Sequence, residues 1–441
     1  MERNHISDDI FKQIKDFNYR KLTVEQELLI EKIIINKVLK ERYKKYGLCD
    51  ECKQPNTGSI WCRSCNAKRF QQNFKNWTSG DSNVDKLIQE SQLNAQNNWE
   101  KLEWIEYDSF ENVEYVAKGG FGMIYKAIWK DGWIYSWNHV TNKWNKDERN
   151  TNFALKCLND STNEFLTEIN MHLKMNNSEC INKVYGITKD SKTNIFMMIL
   201  EYTKNGNLRQ KLNKYFNSFC WREKLGMLRD IAFGLNEIHK EGLIHQDFHS
   251  GNILDSLRDS TTNITDLGLC KPANNKSENY EIYGVLPYLA PEVLRERKYV
   301  QASNIYSFGI IMFEIFNVLP PYYDIAHEEL LAIKICQGLR PKFNIKVPKL
   351  IEDIANQCVD VDPLKRPNAE YLKKIFDHWC DLVYYKKDSE ICKQINEADV
   401  FNERHTSFVK SEKDTYTIHP QAIYTSRLLN FDNLPEPKNA D

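Results

Sequence analysis

Residues 245–254 read HQDFHSGNIL, residues 264–269 read ITDLGL and residues 287–292 read PYLAPE. Asp247 comes first, Asn252 follows within the same short run, and Asp266 comes after a polar excursion. Phosphoryl transfer from a nucleotide uses an ordered set of this kind. One carboxylate orients the attacking hydroxyl and takes its proton, while an amide and a second carboxylate hold metal ions on the phosphates.

Upstream, residues 116–127 read VAKGGFGMIYKA. A glycine-rich turn between two strands lets backbone amides approach phosphate oxygens, because no side chain stands in the way. Such a run is more often an ordinary hairpin, but here it precedes FALKCL at residues 153–158, a strand pattern carrying Lys156. Residues 162–175 have helical spacing, with Phe165, Leu166, Ile169 and Leu173 on one apolar face. The run IFMMILEYTKNGNLRQKL, residues 195–212, reads as a buried strand entering a connection between lobes. Residues 221–240 repeat apolar positions at Leu225, Leu228, Ile231, Leu235 and Ile238, and Gly242 is placed to cap that helix. Residues 302–316 are apolar nearly all round, which predicts a buried helix too interrupted to span a membrane.

Before these motifs, residues 48–67 read LCDECKQPNTGSIWCRSCNA. The pairs Cys49/Cys52 and Cys62/Cys65 can each aim two thiolates at one cation, and two such pairs close a tetrahedron around Zn2+. Disulfides are the competing assignment. The absence of a signal peptide and the scatter of the other cysteines favour a reducing compartment and a structural zinc. Lys53, Arg63, Lys68 and Arg69 make the segment basic, and Trp61 offers an aromatic face. Without a longer basic stripe, a structural or protein-binding ribbon fits better than a nucleic-acid module. Residues 23–46 read as one helix, opened by a Thr23/Gln26 capping box and buried through Leu28, Ile34, Val38 and Leu39.

The chain has 441 residues with 60 Lys and Arg against 61 Asp and Glu, a formal net charge of −1. Near-neutrality argues against general attraction to nucleic acid or membrane. Residues 131–152 carry Trp133, Trp137 and Trp144 and predict an extended hairpin. The expected organisation begins with an N-terminal helical segment at 1–47, a zinc-ribbon-like module at 48–67 and a polar connector at 68–106. The connector is expected to couple the module only loosely to a large domain at 107–382, and a mostly disordered tail fills 383–441.

Taken in this order, the motifs resemble the protein kinase superfamily over about residues 107–382. The wording HQDFHSGN and YGVLPYLAPE is most similar to its tyrosine-kinase-like branch. The cysteine segment followed by QQNFKNWTSG, residues 71–80, is similar to kinase families expanded in mycorrhizal fungi. The resemblance implies an α+β, two-lobed fold, with a small antiparallel β lobe holding one helix and a large helical lobe. It implies ATP, Mg2+ and protein substrates modified on Ser or Thr; the expected setting, from the cysteine usage, is intracellular and cytoplasmic, with the nucleus left open. Asp247 is then the base, Asn252 and Asp266 hold Mg2+, and Lys156 binds the phosphates, placed by Glu168 with Glu164 as the competing partner. Ala117, Lys118, Gly119, Gly120, Phe121, Gly122 and Ile124 line the phosphate loop. Ala154, Leu200, Glu201, Tyr202, Thr203 and Leu254 surround the nucleotide base.

The family pattern is broken in places. Gln246 replaces an arginine that binds activation-loop phosphate, so control through Ser277, Tyr280 or Tyr283 should be weak. Leu267 replaces phenylalanine, His249 stands where lysine is common, Val285 replaces threonine, and Asn304 replaces an aspartate that anchors the catalytic loop. Glu292 and Arg366 correspond to a structural ion pair. None of these changes removes a phosphate-handling group, which favours catalysis. The alternative is an impaired kinase fold serving as a nucleotide-binding scaffold.

Overall fold

The computed structural model describes residues 5–118, 122–158, 162–215, 218–256, 261–272, 281–317, 319–404, 417–431 and 433–439. The chain forms two compact units. One comprises Met1–Ala117, Gly122–Asn177 and Lys183–Glu201; the other comprises Lys118–Phe121, Ser178–Asn182 and Tyr202–Asp441.

In the first unit the strands in chain order are β1 (Glu103–Trp104), β2 (Phe110–Lys118), β3 (Gly122–Trp129), β4 (Trp133–Asn138), β5 (Lys143–Asp147), β6 (Thr151–Leu158), β7 (Val184–Lys189) and β8 (Phe196–Glu201). Six of them form a sheet in the order β1-β7-β8-β6-β3-β2, and β4 with β5 forms the separate hairpin expected of residues 131–152. Strand alternation sorts the sheet into two faces. Ala127, Trp129, Phe153, Leu155, Cys157, Met197 and Ile199 fill one apolar core together with Trp133 and Tyr185. The intervening positions, Ile124, Ala154, Lys156 and Leu200, share the other face: Ile124 is paired with Lys156, and Ala154 with Leu200. The helix Thr162–Met175 has the predicted span and buries Phe165 and Ile169.

Residues 68–106 are not a loose polar connector. They hold most of the helix Arg63–Asn73, the helix Ser82–Asn94 and the strand β1, which pairs in parallel with β7. The apolar residues in this stretch are few, but Phe70, Val84, Ile88, Leu102 and Ile105 are all buried, and Lys101 and Glu103 form a buried ion pair at 2.6 Å. Average polarity concealed a sparse core. The expected single helix over 23–46 is two helices, Val24–Ile33 and Lys37–Tyr46. The Thr23/Gln26 capping box is present, but Asn36 caps the second helix by accepting from the Leu39 N–H, so the chain breaks after a run of isoleucines. Ile34 and Leu39 are buried, whereas Leu28 and Val38 point to solvent.

In the second unit the helix Trp221–Lys240 packs on the helix Ala369–Tyr385, and Gln301–Phe316 is buried on almost every side. Gly242, at φ +70°, follows the first of these as expected. Short strands β9 (Leu243–Ile244), β10 (Ile253–Asp255), β11 (Thr262–Ile264), β12 (Lys271–Pro272), β13 (Ile282–Gly284) and β14 (Arg427–Leu429) pair as β9–β12, β10–β11 and β13–β14. The tail is therefore largely folded where it is described, contrary to the disorder expected from its polarity. Residues Glu390–Arg404 are a helix buried through Ile391, Cys392, Ile395 and Ala398, and β14 adds a strand to β13. A three-residue strand is too short for alternation to betray it. Among the described residues no helix is long and apolar enough to cross a membrane.

Candidate active site and metal centre

In the first unit, Lys156 Nζ lies 2.6 Å from Glu168 Oε1, with both side chains buried. Strand parity directs Lys156 to the face carrying the helix Thr162–Met175, and Glu168 lies on the inner side of that helix. Glu164, the competing partner, is exposed. His172, one turn on, places Nε2 3.8 Å from the same carboxylate oxygen. Of the residues expected near the nucleotide, Ile124, Ala154 and Leu200 share the lysine's face of the sheet; Ala117 and Lys118 end β2 and Gly122 begins β3. Gly119, Gly120 and Phe121 lie outside the described residues.

In the second unit, Asp247, Asn252 and Asp266 are held by a hydrogen-bonded loop. The Asp247 N–H donates to the His245 carbonyl at 2.5 Å, closing a tight turn around Gln246 at φ +49°. A non-glycine residue at positive φ is costly and persists where its surroundings hold it. Asn252 Nδ2 donates to the Asp247 carbonyl at 2.9 Å and to its Oδ2 at 3.0 Å. His249 Nε2 lies 3.5 Å from Asp247 Oδ1. Burial pushes the Asp247 carboxyl up, but His249, a hydroxyl from Ser426 and His245 outweigh it and hold the group below the ordinary carboxylate range. Asp247 is thus a buried carboxylate that is charged at neutral pH and restrained in orientation.

Asp266 follows β11 at φ +62°, ψ +62°. Leu267, in place of the family's phenylalanine, is buried. The His245 ring contacts the Thr265 carbonyl at 3.0 Å, tying the two aspartate loops together. Leu254 lies on β10, opposite Asn263 on β11. Glu201 ends β8 in the first unit, whereas Tyr202 and Thr203 begin the last segment of the second. Glu292 and Arg366 form the expected structural pair, bidentate at 2.7 and 2.8 Å and buried. Ser277 and Tyr280 lie outside the described residues; Tyr283 is on β13.

Two features had no usable sequence signal. Arg209 Nε lies 2.9 Å from Glu314 Oε1, and the same guanidinium reaches Ser250 Oγ and the Tyr288 hydroxyl, bracing the loop from below. Ser426 Oγ donates to Asp247 Oδ2 at 2.6 Å from within the tail.

Cys49, Cys52, Cys62 and Cys65 place their sulfurs within 4.8 Å of one another, with 3.8 Å between Cys49 and Cys65 and 3.5 Å between Cys52 and Cys62. A tetrahedron of sulfurs about 2.3 Å from zinc has edges of about 3.8 Å, so the donor set fits that ion. Crowding sets the thiols against one another: hydrogen bonds among them pull Cys49 down and push Cys62 up, and burial raises Cys65 to about 12. A divalent cation relieves that conflict by stabilising all the thiolates at once. The cluster is keyed into the first unit. Trp61 is fully buried, donates from Nε1 to the Ala95 carbonyl at 3.0 Å, and stacks 6.2 Å from Trp144 on β5. Arg69 lies over Trp137 of β4 and pairs with Glu51. Trp61 therefore presents no free aromatic face.

Residues 110–376 match the family model described as protein tyrosine and serine/threonine kinase. A probable serine/threonine-protein kinase of Dictyostelium discoideum is 25% identical over 285 residues, covering 63% of this chain and 16% of that protein. The MAP3K epsilon protein kinase 1 of Arabidopsis thaliana is 29% identical over 267 residues, covering 58% of this chain and 18% of that protein. A probable LIM domain-containing serine/threonine-protein kinase of D. discoideum is 26% identical over 266 residues, covering 59% of this chain and 38% of that protein. The chain thus spans well under half the length of these relatives.

Proposed function

The chain belongs to the protein tyrosine and serine/threonine kinase family, and we propose that it is a catalytically active member that transfers the γ-phosphoryl group of ATP to Ser or Thr hydroxyls of proteins. The observation that carries this reading is the Lys156–Glu168 pair, formed at 2.6 Å in a buried setting. A buried cation without its partner is costly, so the formed pair supports Lys156 as the phosphate-binding charge. Asp247 supports the reading from the other unit. It is a restrained carboxylate that can orient an incoming hydroxyl and accept its proton.

Asn252 and Asp266 are the residues that would hold Mg2+. Asn252 spends its amide nitrogen on Asp247 and offers its oxygen to a metal, and Asp266 supplies a carboxylate. The ion, when bound, neutralises phosphate charge. The tyrosine-kinase-like branch, the serine/threonine preference and the structural role of zinc in the four-cysteine cluster belong to the same proposal; distant relatives named as serine/threonine kinases support the second. The test is incorporation of labelled phosphate into casein by wild type and Asp247→Asn. Transfer by wild type that is lost in the variant supports an active kinase. Equal incorporation by both refutes the role of Asp247. Nucleotide binding without transfer to any protein establishes a scaffold instead.

A further inference from the structure

The base of the candidate site already has a hydroxyl on it. Ser426 Oγ donates to Asp247 Oδ2 at 2.6 Å and lies 3.1 Å from His249 Nε2. A chance tail contact would not be expected to be held from both sides, as this one is. On its C-terminal side, β14 pairs antiparallel with β13, Gly284 opposite Arg427 and Ile282 opposite Leu429, and the Leu429 side chain is buried. The Arg427 guanidinium donates to the His327 carbonyl. On its N-terminal side, the Tyr424 hydroxyl donates to the Pro321 carbonyl at 2.9 Å, and its ring lies under the Arg209 guanidinium at 4.0 Å. The His327 ring takes the Ile423 carbonyl as a partner at 2.8 Å. An extended peptide added to a short strand by main-chain hydrogen bonds, with side-chain anchors on both sides of one presented hydroxyl, is a recurrent way of binding a substrate segment.

We propose that Ser426 is a phosphoacceptor used in cis, with residues 417–431 occupying the place of a protein substrate until it is modified. The proposal rests on the kinase reading given above. The Ser426 oxygen attacks the γ-phosphorus of ATP, the bond from that phosphorus to the β-bridging oxygen breaks, ADP leaves with the electron pair, and the hydroxyl proton passes to Asp247. The product places a phosphate of charge about −1.5 to −2 against the Asp247 carboxylate. Two anionic groups then stand side by side in a buried setting and repel each other. The modified segment therefore leaves, β13 loses its partner strand, and the site opens to other proteins. Thr425, the neighbouring hydroxyl, is exposed and makes no such contact.

The test uses the full chain, freed of phosphate by a phosphatase and then given ATP and Mg2+. Phosphate is mapped by mass spectrometry and its rate followed at several protein concentrations, with casein as a separate acceptor. The expected result is phosphate on Ser426 at a rate per molecule independent of protein concentration. A lag in casein phosphorylation should vanish after pre-incubation with ATP, and amide exchange should rise at residues 282–284 and 427–429. Ser426→Ala should lose that phosphopeptide, whereas Thr425→Ala should keep it. Casein phosphorylation that needs Asp247 while Ser426 stays unmodified, or modification whose rate per molecule rises with concentration, overturns the proposal and leaves the kinase reading standing. No transfer to either acceptor overturns both.

Discussion

Asn304 Oδ1 accepts the backbone N–H of His245 at 3.0 Å, directly beneath the loop that carries Asp247. The same oxygen lies 3.2 Å from His239 Nε2. The aspartate usual in the family has been exchanged for an amide without losing the acceptor that the loop backbone needs. Asn304→Ala should leave a buried N–H unpaired and cost about 1–3 kcal/mol of stability. Urea unfolding of the variant checks this, and unchanged stability would mean that the loop is anchored elsewhere.

The two candidate partners of Lys156 make different predictions. Glu168→Gln removes the charge that holds a buried lysine, so transfer activity should fall by about 100-fold, with weaker ATP binding by thermal shift. Glu164→Gln changes an exposed side chain and should stay within about twofold of wild type. The reverse order of effects would move the assignment one turn along the helix.

His239 predicts a pH dependence of stability. Burial lowers it from 6.5 to about 4, against a partial rise from Asn304 and a further lowering from His245. Below pH 6.5 the unfolded chain binds a proton that the native chain refuses until pH is near 4. Its contribution to stability is therefore full above 6.5 and is lost as pH falls from 6.5 toward 4, by at most about 3 kcal/mol. His239→Gln should flatten the stability difference between pH 7 and pH 4.5 relative to wild type. Parallel curves for the two proteins would show that this imidazole titrates normally.

The site was legible in the sequence where chemistry depends on residue identity at short spacing, and illegible where it depends on who packs against whom. Asp247, Asn252 and Asp266 announced themselves because few other uses explain that set. Lys156 and Glu168 were expected from the family resemblance, and the structure brings them to 2.6 Å of each other. Ser426 gave no signal: TSRLL is ordinary polar-apolar sequence, and only tertiary contact puts its hydroxyl on Asp247. The same blindness applied to residues 68–106. Trp99, Trp133 and Tyr185 come from three distant stretches and meet in one core, an arrangement no local period encodes. The break at Asn36 was readable in principle, since an asparagine after an isoleucine run is a strong start signal, but the longer apolar pattern masked it.

The last prediction concerns the cysteine cluster, where the structure reverses the loose coupling expected from sequence. If Cys49, Cys52, Cys62 and Cys65 share one ion, metal analysis should find close to one zinc per chain, and Cys62→Ser should release it. A structural zinc contributes on the order of 10 kcal/mol to folding, and here that energy is not confined to the ribbon. Cys62 immediately precedes the helix Arg63–Asn73, whose Phe70 stacks 4.6 Å from Trp144 on β5, and Trp61 packs beside both. Loss of the metal should therefore loosen the β4–β5 hairpin and lower the unfolding midpoint of the first unit, with a red shift in tryptophan emission as Trp61 and Trp144 meet water. Trp144 is only partly buried, so Trp144→Ala removes the contact but not the ligands and should keep its zinc while costing less than the ~3–5 kcal/mol of a fully buried aromatic. Combining it with Cys62→Ser should cost less than the sum of the two, because both break the same joint. Additive losses would show that the ribbon and the hairpin are stabilised independently, and retained zinc in Cys62→Ser would refute the four-cysteine site.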